Sequence, residues 1–220
     1  MRIGLTGSMA AGKSTVSAIL AELGFYIVDA DKTAHAALGF PGVISDIKMV
    51  FGESVLDENG AVNRRALAGL AFLSKENTDA LNAIVHPRVF EAMLNEAGEA
   101  EARGKAHIVF DVPLLFETGF ERHCDRVLCV VADDETRYLR IMLRDGLSRE
   151  EAAARLARQM DQDEKAARSN AVIINNGTGA ELEKALLEAL GHIGISPEAE
   201  AESSANEAEL ESYLPDCMDE

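Results

Sequence analysis

Gly7-Ser8-Met9-Ala10-Ala11-Gly12-Lys13-Ser14 is the stretch from which the fold can be read. It matches G-x-x-x-x-G-K-[ST], a loop whose backbone N–H groups surround phosphate oxygens. The flanks agree with the match. The apolar run Ile3-Gly4-Leu5-Thr6 precedes it as a buried strand would. Val16, Ile19, Leu20 and Leu23 follow at helical spacing, and Gly24 suits a helix C-terminus. Gly7 and Gly12 permit backbone angles that turn successive N–H groups inward. Lys13 adds a point charge for the outer phosphates and Ser14 a hydroxyl for Mg²⁺, while unpaired N–H groups at the helix start favour an anion. Ala10, Ala11, Gly12, Lys13, Ser14 and Thr15 are therefore candidate nucleotide-binding residues, for ATP or GTP.

The second strand expected after that helix is Phe25-Tyr26-Ile27-Val28, which ends in Asp29-Ala30-Asp31. Ligands of open α/β sheets bind at the C-terminal ends of strands, where the phosphate loop also lies, so this acidic pair is a functional candidate. Either aspartate could instead cap the next helix. Residues 33–103 read as mostly helical, with turns at Phe40-Pro41-Gly42 and Asp57-Glu58-Asn59-Gly60. The second turn matches the D-x-x-G of GTPase switches by coincidence, because it ends no apolar strand. Leu81, Ile84 and Val85 form one helical face that Pro87 is expected to interrupt, and Val89, Phe90, Met93 and Leu94 begin another. His86 is then held at a junction, and by itself reads as structural.

His107-Ile108-Val109-Phe110-Asp111 is the third strand, followed by Val112-Pro113-Leu114-Leu115-Phe116-Glu117. Asp111 is either a Mg²⁺ ligand, directly or through water, or a solvated strand end. Arg126-Val127-Leu128-Cys129-Val130-Val131 is the fourth strand, and the helix after it carries Arg137, Arg140 and Arg144. Gly146 breaks that helix, and Ser148-Arg149-Glu150-Glu151 resembles a capping box opening another through Arg155 and Arg158. Residues 137–168 hold eight basic and six acidic side chains. Such a hairpin could close over ATP and bring charge to a transferring phosphoryl group, or be an ordinary exposed helix pair laced with ion pairs. Val172-Ile173-Ile174-Asn175-Asn176-Gly177 supplies the fifth strand and its turn. Thr178 and Glu181 can cap a last helix whose Leu182, Leu186, Leu187 and Leu190 cover the sheet.

The chain has 220 residues, 47% of them apolar, enough for a sizeable core. Its formal net charge of −17 argues against non-specific affinity for nucleic acid or anionic lipid. Nine of the acidic residues lie beyond position 197 without a lysine or arginine, so residues 195–220 are expected to form a disordered tail. Cys124, Cys129 and Cys217 have neither zinc nor disulfide-framework spacing, which suits a reducing compartment. Met1-Arg2 leads straight into the first strand, and no apolar run approaches the ~20 residues that cross a bilayer. A cytoplasmic protein without membrane or nucleic-acid partners is expected.

Alternating strands and helices behind a phosphate loop imply a five-stranded parallel sheet of the P-loop NTPase type, covered by helices on both faces. The expected parts are a nucleotide core (residues 1–32, 106–136 and 169–194), a helical substrate insert (33–105) and a lid (137–168). Together they describe a small-molecule kinase in which Asp31 could accept the proton of an acceptor hydroxyl.

Several blocks together resemble the dephospho-CoA kinase family over about residues 1–192: the loop at 7–14, Asp29-Ala30-Asp31, Asn63-Arg64-Arg65 before Leu67, His86-Pro87, Asp111 through Glu117, the segment 140–159 and Asn175-Asn176-Gly177. The resemblance implies transfer of phosphate from MgATP to the 3′-hydroxyl of the dephospho-CoA ribose, giving coenzyme A and ADP. It makes Asp31 the general base, Lys13 a phosphate ligand and Ser14 a Mg²⁺ ligand. Arg140 becomes the lid arginine at the ATP phosphates, with Asn175 and Asn176 near the adenine. His86, Pro113, Leu114, Leu115 and Glu117 would border the acceptor, residues 33–105 would be the CoA-binding domain, and the enzyme would be a monomer or weak homo-oligomer. The loop departs from the family at Ala10-Ala11, where Gly-Ser is usual. Alanine still supplies its N–H, so binding should survive with some loss of loop freedom. The acidic tail has no counterpart in the family's shared core. A kinase for nucleoside monophosphates or another metabolite is the nearest rival. A nucleotide-dependent switch is the rival of another class, and the chain has no guanine-reading N-K-x-D.

Overall fold

The computed structural model describes residues 1–157 and 159–196; Arg158 and the expected tail from residue 197 on lie outside the described residues. The chain divides into two compact units, one of Met1–Ile27 and Lys105–Glu220, the other of Val28–Gly104. Five strands form a single sheet: β1 (Arg2–Gly7), β2 (Tyr26–Asp29), β3 (Ile108–Asp111), β4 (Arg126–Val131) and β5 (Ala171–Ile174). Their order is β2-β3-β1-β4-β5. Leu5 lies opposite Asp111 of β3 on one side and Leu128 of β4 on the other, and Val130 lies opposite Ile173 of β5, all in parallel register. Every residue of β1 after Arg2 is buried, as a parallel strand covered on both faces requires.

The helices, in chain order, are α1 (Lys13–Glu22), α2 (Ala30–Ala37), α3 (Pro41–Phe51), α4 (Arg64–Ala71), α5 (Lys75–Ala102), α6 (Asp134–Asp145), α7 (Arg149–Leu156), α8 (Gln162–Arg168) and α9 (Gly179–His192). On one face of the sheet, Val16 and Leu20 of α1 and Leu182, Leu186 and Leu190 of α9 share a core with Ile3, Leu5, Leu128, Val130 and Ile173. Each fully buried leucine there contributes roughly 2 kcal/mol from burial alone. Helix α8 packs on β1 and β4. Both expected capping boxes form, Ser148 with Glu151 at α7 and Thr178 with Glu181 at α9. Gly146, at φ 68°, ends α6.

Two local expectations are corrected. Of the two aspartates that could cap the next helix, Asp29 does so: its side chain accepts the N–H of Lys32 at 3.0 Å, and α2 begins at Ala30. Asp31 therefore stands in the first turn of a helix rather than at a strand end. Pro87 does not interrupt its helix: α5 runs through it for 28 residues. Proline inside a helix costs about 3 kcal/mol through its missing N–H and crowded ring. On its N-terminal side Leu81, Ile84 and Val85 pack on Val43, Ile47, Val55 and Leu67, and on its C-terminal side Val89, Met93, Ala97 and Ala100 are buried. Burial on both sides outweighs the one lost bond. The turn at residues 57–60 is as expected, and the carboxylate of Asp57 is occupied by the N–H groups of Asn59 and Ala61 at 2.9 and 3.0 Å.

Candidate active site

The phosphate loop joins β1 to α1, and its two outer glycines are required for different reasons. Gly7 has no left-handed backbone; a Cβ there would come within 2.6 Å of the Val130 carbonyl oxygen on the neighbouring strand. Gly12 has φ 100°, and its Cβ would lie 2.0 Å from Nδ2 of Asn175. Between them Ala10 adopts φ 61°, the one described non-glycine residue with positive φ. This explains what the Ala10-Ala11 departure costs: the position calls for the left-handed conformation that glycine takes freely, so the price is backbone crowding as well as lost freedom.

Gly12 caps α1 without a side chain, and the first turn of α1 holds no acidic residue. Its N–H groups and the positive end of its dipole are thus left for an anion. Ser14 and Thr15 are exposed in that turn. Lys13 reaches across to Asp111 at the end of β3, where the two side chains form a largely buried ion pair. This joins the phosphate-loop cation to the candidate Mg²⁺ ligand. No group of three or more His, Cys, Asp or Glu suited to a metal exists among the described residues. A single carboxylate and a hydroxyl fit Mg²⁺, which keeps several waters and takes further oxygens from substrate phosphates.

Arg140 of α6 is anchored on the loop itself. Its Nη1 donates to the carbonyls of Ala10 and Ala11 at 3.1 and 3.3 Å, and its Nη2 donates to the carbonyl of Asn175 at 3.1 Å. Asn175, buried at the end of β5, donates from Nδ2 to the Ala11 carbonyl at 2.8 Å. All of these acceptors are neutral, so among the described residues no carboxylate offsets the positive charge that the guanidinium brings to the loop. Of the neighbouring arginines, Arg137 is buried and pairs with Asp134, whereas the others are surface cations. Arg144 and Arg155 both pair with Asp145, and Arg149 pairs with Glu135 while lying 4.8 Å over the Tyr138 ring. Asn176 accepts the Asp133 N–H at 2.8 Å, which ties the turn after β5 to the start of α6.

The segment after β3 divides by exposure. Leu114 is 41% exposed, whereas Leu115 is fully enclosed and would touch any side chain added at Gly4. The Glu117 carboxylate is engaged by Lys165 at 2.8 Å, and the Pro113 carbonyl accepts the same lysine at 2.9 Å. Lys165 and its role were not legible in the sequence. Helix α8 is only seven residues long, too short for a periodic pattern to mark one position as interior. In the second unit, Asp31 is exposed and its side chain makes no hydrogen bond or ion pair among the described residues. His86 is half-buried on α5 and stacks on Phe90 with ring centroids 5.9 Å apart; burial pushes its imidazole below its ordinary range.

Comparison with known proteins agrees with this geometry. The family profile described as dephospho-CoA kinase matches residues 1–181. The dephospho-CoA kinase of Geobacillus kaustophilus is 43% identical over 189 residues, 85% of this chain and 94% of its own. That of Geobacter sulfurreducens is 44% identical over 188 residues, 84% and 95% of the two chains. Among solved structures, the dephospho-CoA kinase from Campylobacter jejuni matches with a TM-score of 0.67 at 30% identity, covering 87% of this chain and 96% of that one. A crystal structure from Thermus thermophilus matches at 0.75 and 38% identity, covering 89% and 98%. By motif, sheet order and similarity along most of its length, the chain belongs to the dephospho-CoA kinase family.

Proposed function

We infer that this chain transfers the γ-phosphoryl group of ATP to the 3′-hydroxyl of the dephospho-CoA ribose, releasing coenzyme A and ADP in the last step of coenzyme A biosynthesis. The observation that carries the inference is the convergence of Lys13, Asp111 and Arg140 at the N-terminus of α1, a helix whose own first turn has no acidic residue. Phosphoryl transfer needs positioning and charge neutralisation more than covalent chemistry, and this group supplies both. Residues 10–15 hold the triphosphate, and Lys13 and Arg140 neutralise its oxygens. Ser14 and Asp111 are the residues that would hold Mg²⁺, which would supply positive charge against the phosphate oxygens. Asp31 takes the proton from the attacking hydroxyl, a role supported by its unengaged carboxylate. Pro113, the exposed Leu114 and His86 border the acceptor, Leu115 supports the segment of Pro113 and Leu114 from the core, and Glu117 acts through its ion pair. Asn175 and Asn176 hold the adenine side of the site by fixing the loop and the start of α6. Residues 33–105 serve as the CoA-binding part and 137–168 as the lid.

We place the enzyme in the cytoplasm as a monomer or weak homo-oligomer. The unpaired Cys124 and Cys129 suit a reducing compartment, and no helix among the described residues is long and apolar enough to cross a membrane. The test is ADP release with dephospho-CoA set against a panel of nucleoside monophosphates, with the product identified by mass. Formation of coenzyme A at the highest kcat/KM is expected; preference for a nucleoside monophosphate overturns the assignment.

A further inference from the structure

Lys165 has no solvent exposure at all, a rare condition for a lysine unless its charge is matched. Its Nζ pairs with Oε1 of Glu117 at 2.8 Å and donates to the Pro113 carbonyl at 2.9 Å, an oxygen that also accepts Oγ1 of Thr6 at 3.2 Å. The N–H of Val112 donates to the Leu5 carbonyl at 2.9 Å. The segment just after Asp111 is thus fastened to β1 from one side and to Lys165 from the other. The same Glu117 oxygen accepts the N–H of Met160 at 3.3 Å. The adjoining Gln159 accepts, on Oε1, the N–H of Met9 in the phosphate loop at 3.0 Å. One buried ammonium therefore stands where three segments meet: the phosphate loop, the β3 exit bearing Asp111, and the stretch that enters α8.

We propose that Lys165 is a positioning residue for phosphoryl transfer, a clasp that holds residues 159–160 against the phosphate loop through Glu117 and keeps Asp111 at Lys13 through the Pro113 carbonyl. Without the ammonium, the Pro113 carbonyl loses one of its two donors, and the Glu117 carboxylate loses the cation that fixes its place beside Met160. The kinetic part of the proposal rests on the kinase function proposed above; the structural part does not.

The test compares the full chain with Lys165→Met, Glu117→Gln, their combination and Gln159→Ala. Two quantities are read: amide hydrogen exchange at Met9 and Met160 without substrates, and kcat and KM below each variant's unfolding midpoint. Lys165→Met should speed exchange at both amides and lower kcat by about ten- to a hundredfold, the cost of misplacing reacting groups by a fraction of an ångström to an ångström, with a smaller change in KM for ATP. The combined variant should fall no further than Lys165→Met, since the two residues act as a unit. A core variant of α9, Leu186→Ala, should lose stability while keeping kcat within about twofold. Unchanged exchange at either amide, kcat of Lys165→Met within about twofold of the parent, or additive losses in the combined variant overturn the proposal. If Lys165→Met does not fold, Gln159→Ala, which spares the buried pair, decides alone: it must speed exchange at Met9 and lower kcat, and no change in either overturns the clasp. A parent chain that does not phosphorylate dephospho-CoA removes the kinase assignment, and the exchange data still decide the clasp.

Discussion

Ala10 holds a left-handed backbone in the middle of the phosphate loop. Ala10→Gly should relieve about 1–2 kcal/mol of crowding and give back about 0.4–1 kcal/mol through a freer unfolded chain, for a net gain of about 1 kcal/mol, seen as a higher urea midpoint at unchanged m. A lower midpoint would mean that the surrounding contacts, not the backbone, set this conformation. Asp31→Asn should keep ATP binding and lower kcat by about 10²–10⁴-fold, the worth of a general base. Titration calorimetry with ATP beside steady-state turnover checks both halves. His86 gives a pH dependence whose sign can be worked out. Burial lowers its pKa in the fold relative to the 6.5 of an exposed imidazole, so above that value both states are neutral and its contribution is flat. As the pH drops through 6.5 the unfolded chain binds the proton first, and stability falls until the folded imidazole titrates as well. Urea midpoints between about pH 7.5 and 5 should decline for the parent and decline less for His86→Gln. Residue-level chemistry was legible only where a motif names it. The placement of Lys13 and Ser14 at the start of α1 was evident, whereas the strain at Ala10 showed only as a departure from a family habit, because φ is set by where the loop must go.

Elements were legible where their signals are local. The capping boxes at Ser148 and Thr178 form as their spacing indicates, since a hydroxyl and a carboxylate three residues apart need no tertiary partner. Thr178→Ala should therefore cost about 1 kcal/mol, measured as a lower urea midpoint, because α9 supplies much of one sheet face. Loss of less than a few tenths would show that packing of Leu182, Leu186 and Leu190 holds this end without the cap. Long-range packing is what local signals omit. Pro87 alone ends a helix, but with Leu81 to Val85 on one side and Val89 to Ala100 on the other already buried, stopping would expose more than it relieves. The same blindness hid Lys165, whose partners lie about fifty residues away in the chain.

At the scale of the whole molecule, the sheet was legible because each strand of a covered parallel sheet is a short unbroken apolar run, and all five such runs became strands, the fourth with the expected ends and the others with ends shifted by about one residue. The order of those strands could not be counted off in the same way, since it follows from which crossover lies on which face. That order has a consequence for synthesis. The central strand β1 is made first, yet its two neighbours, β3 and β4, are complete only at Asp111 and Val131. At about 5–20 residues per second the ribosome leaves β1 without its full pair of neighbours for roughly 6–25 s. Chaperone occupancy should accordingly be highest on nascent chains shorter than residue 131, and should drop once β4 has emerged.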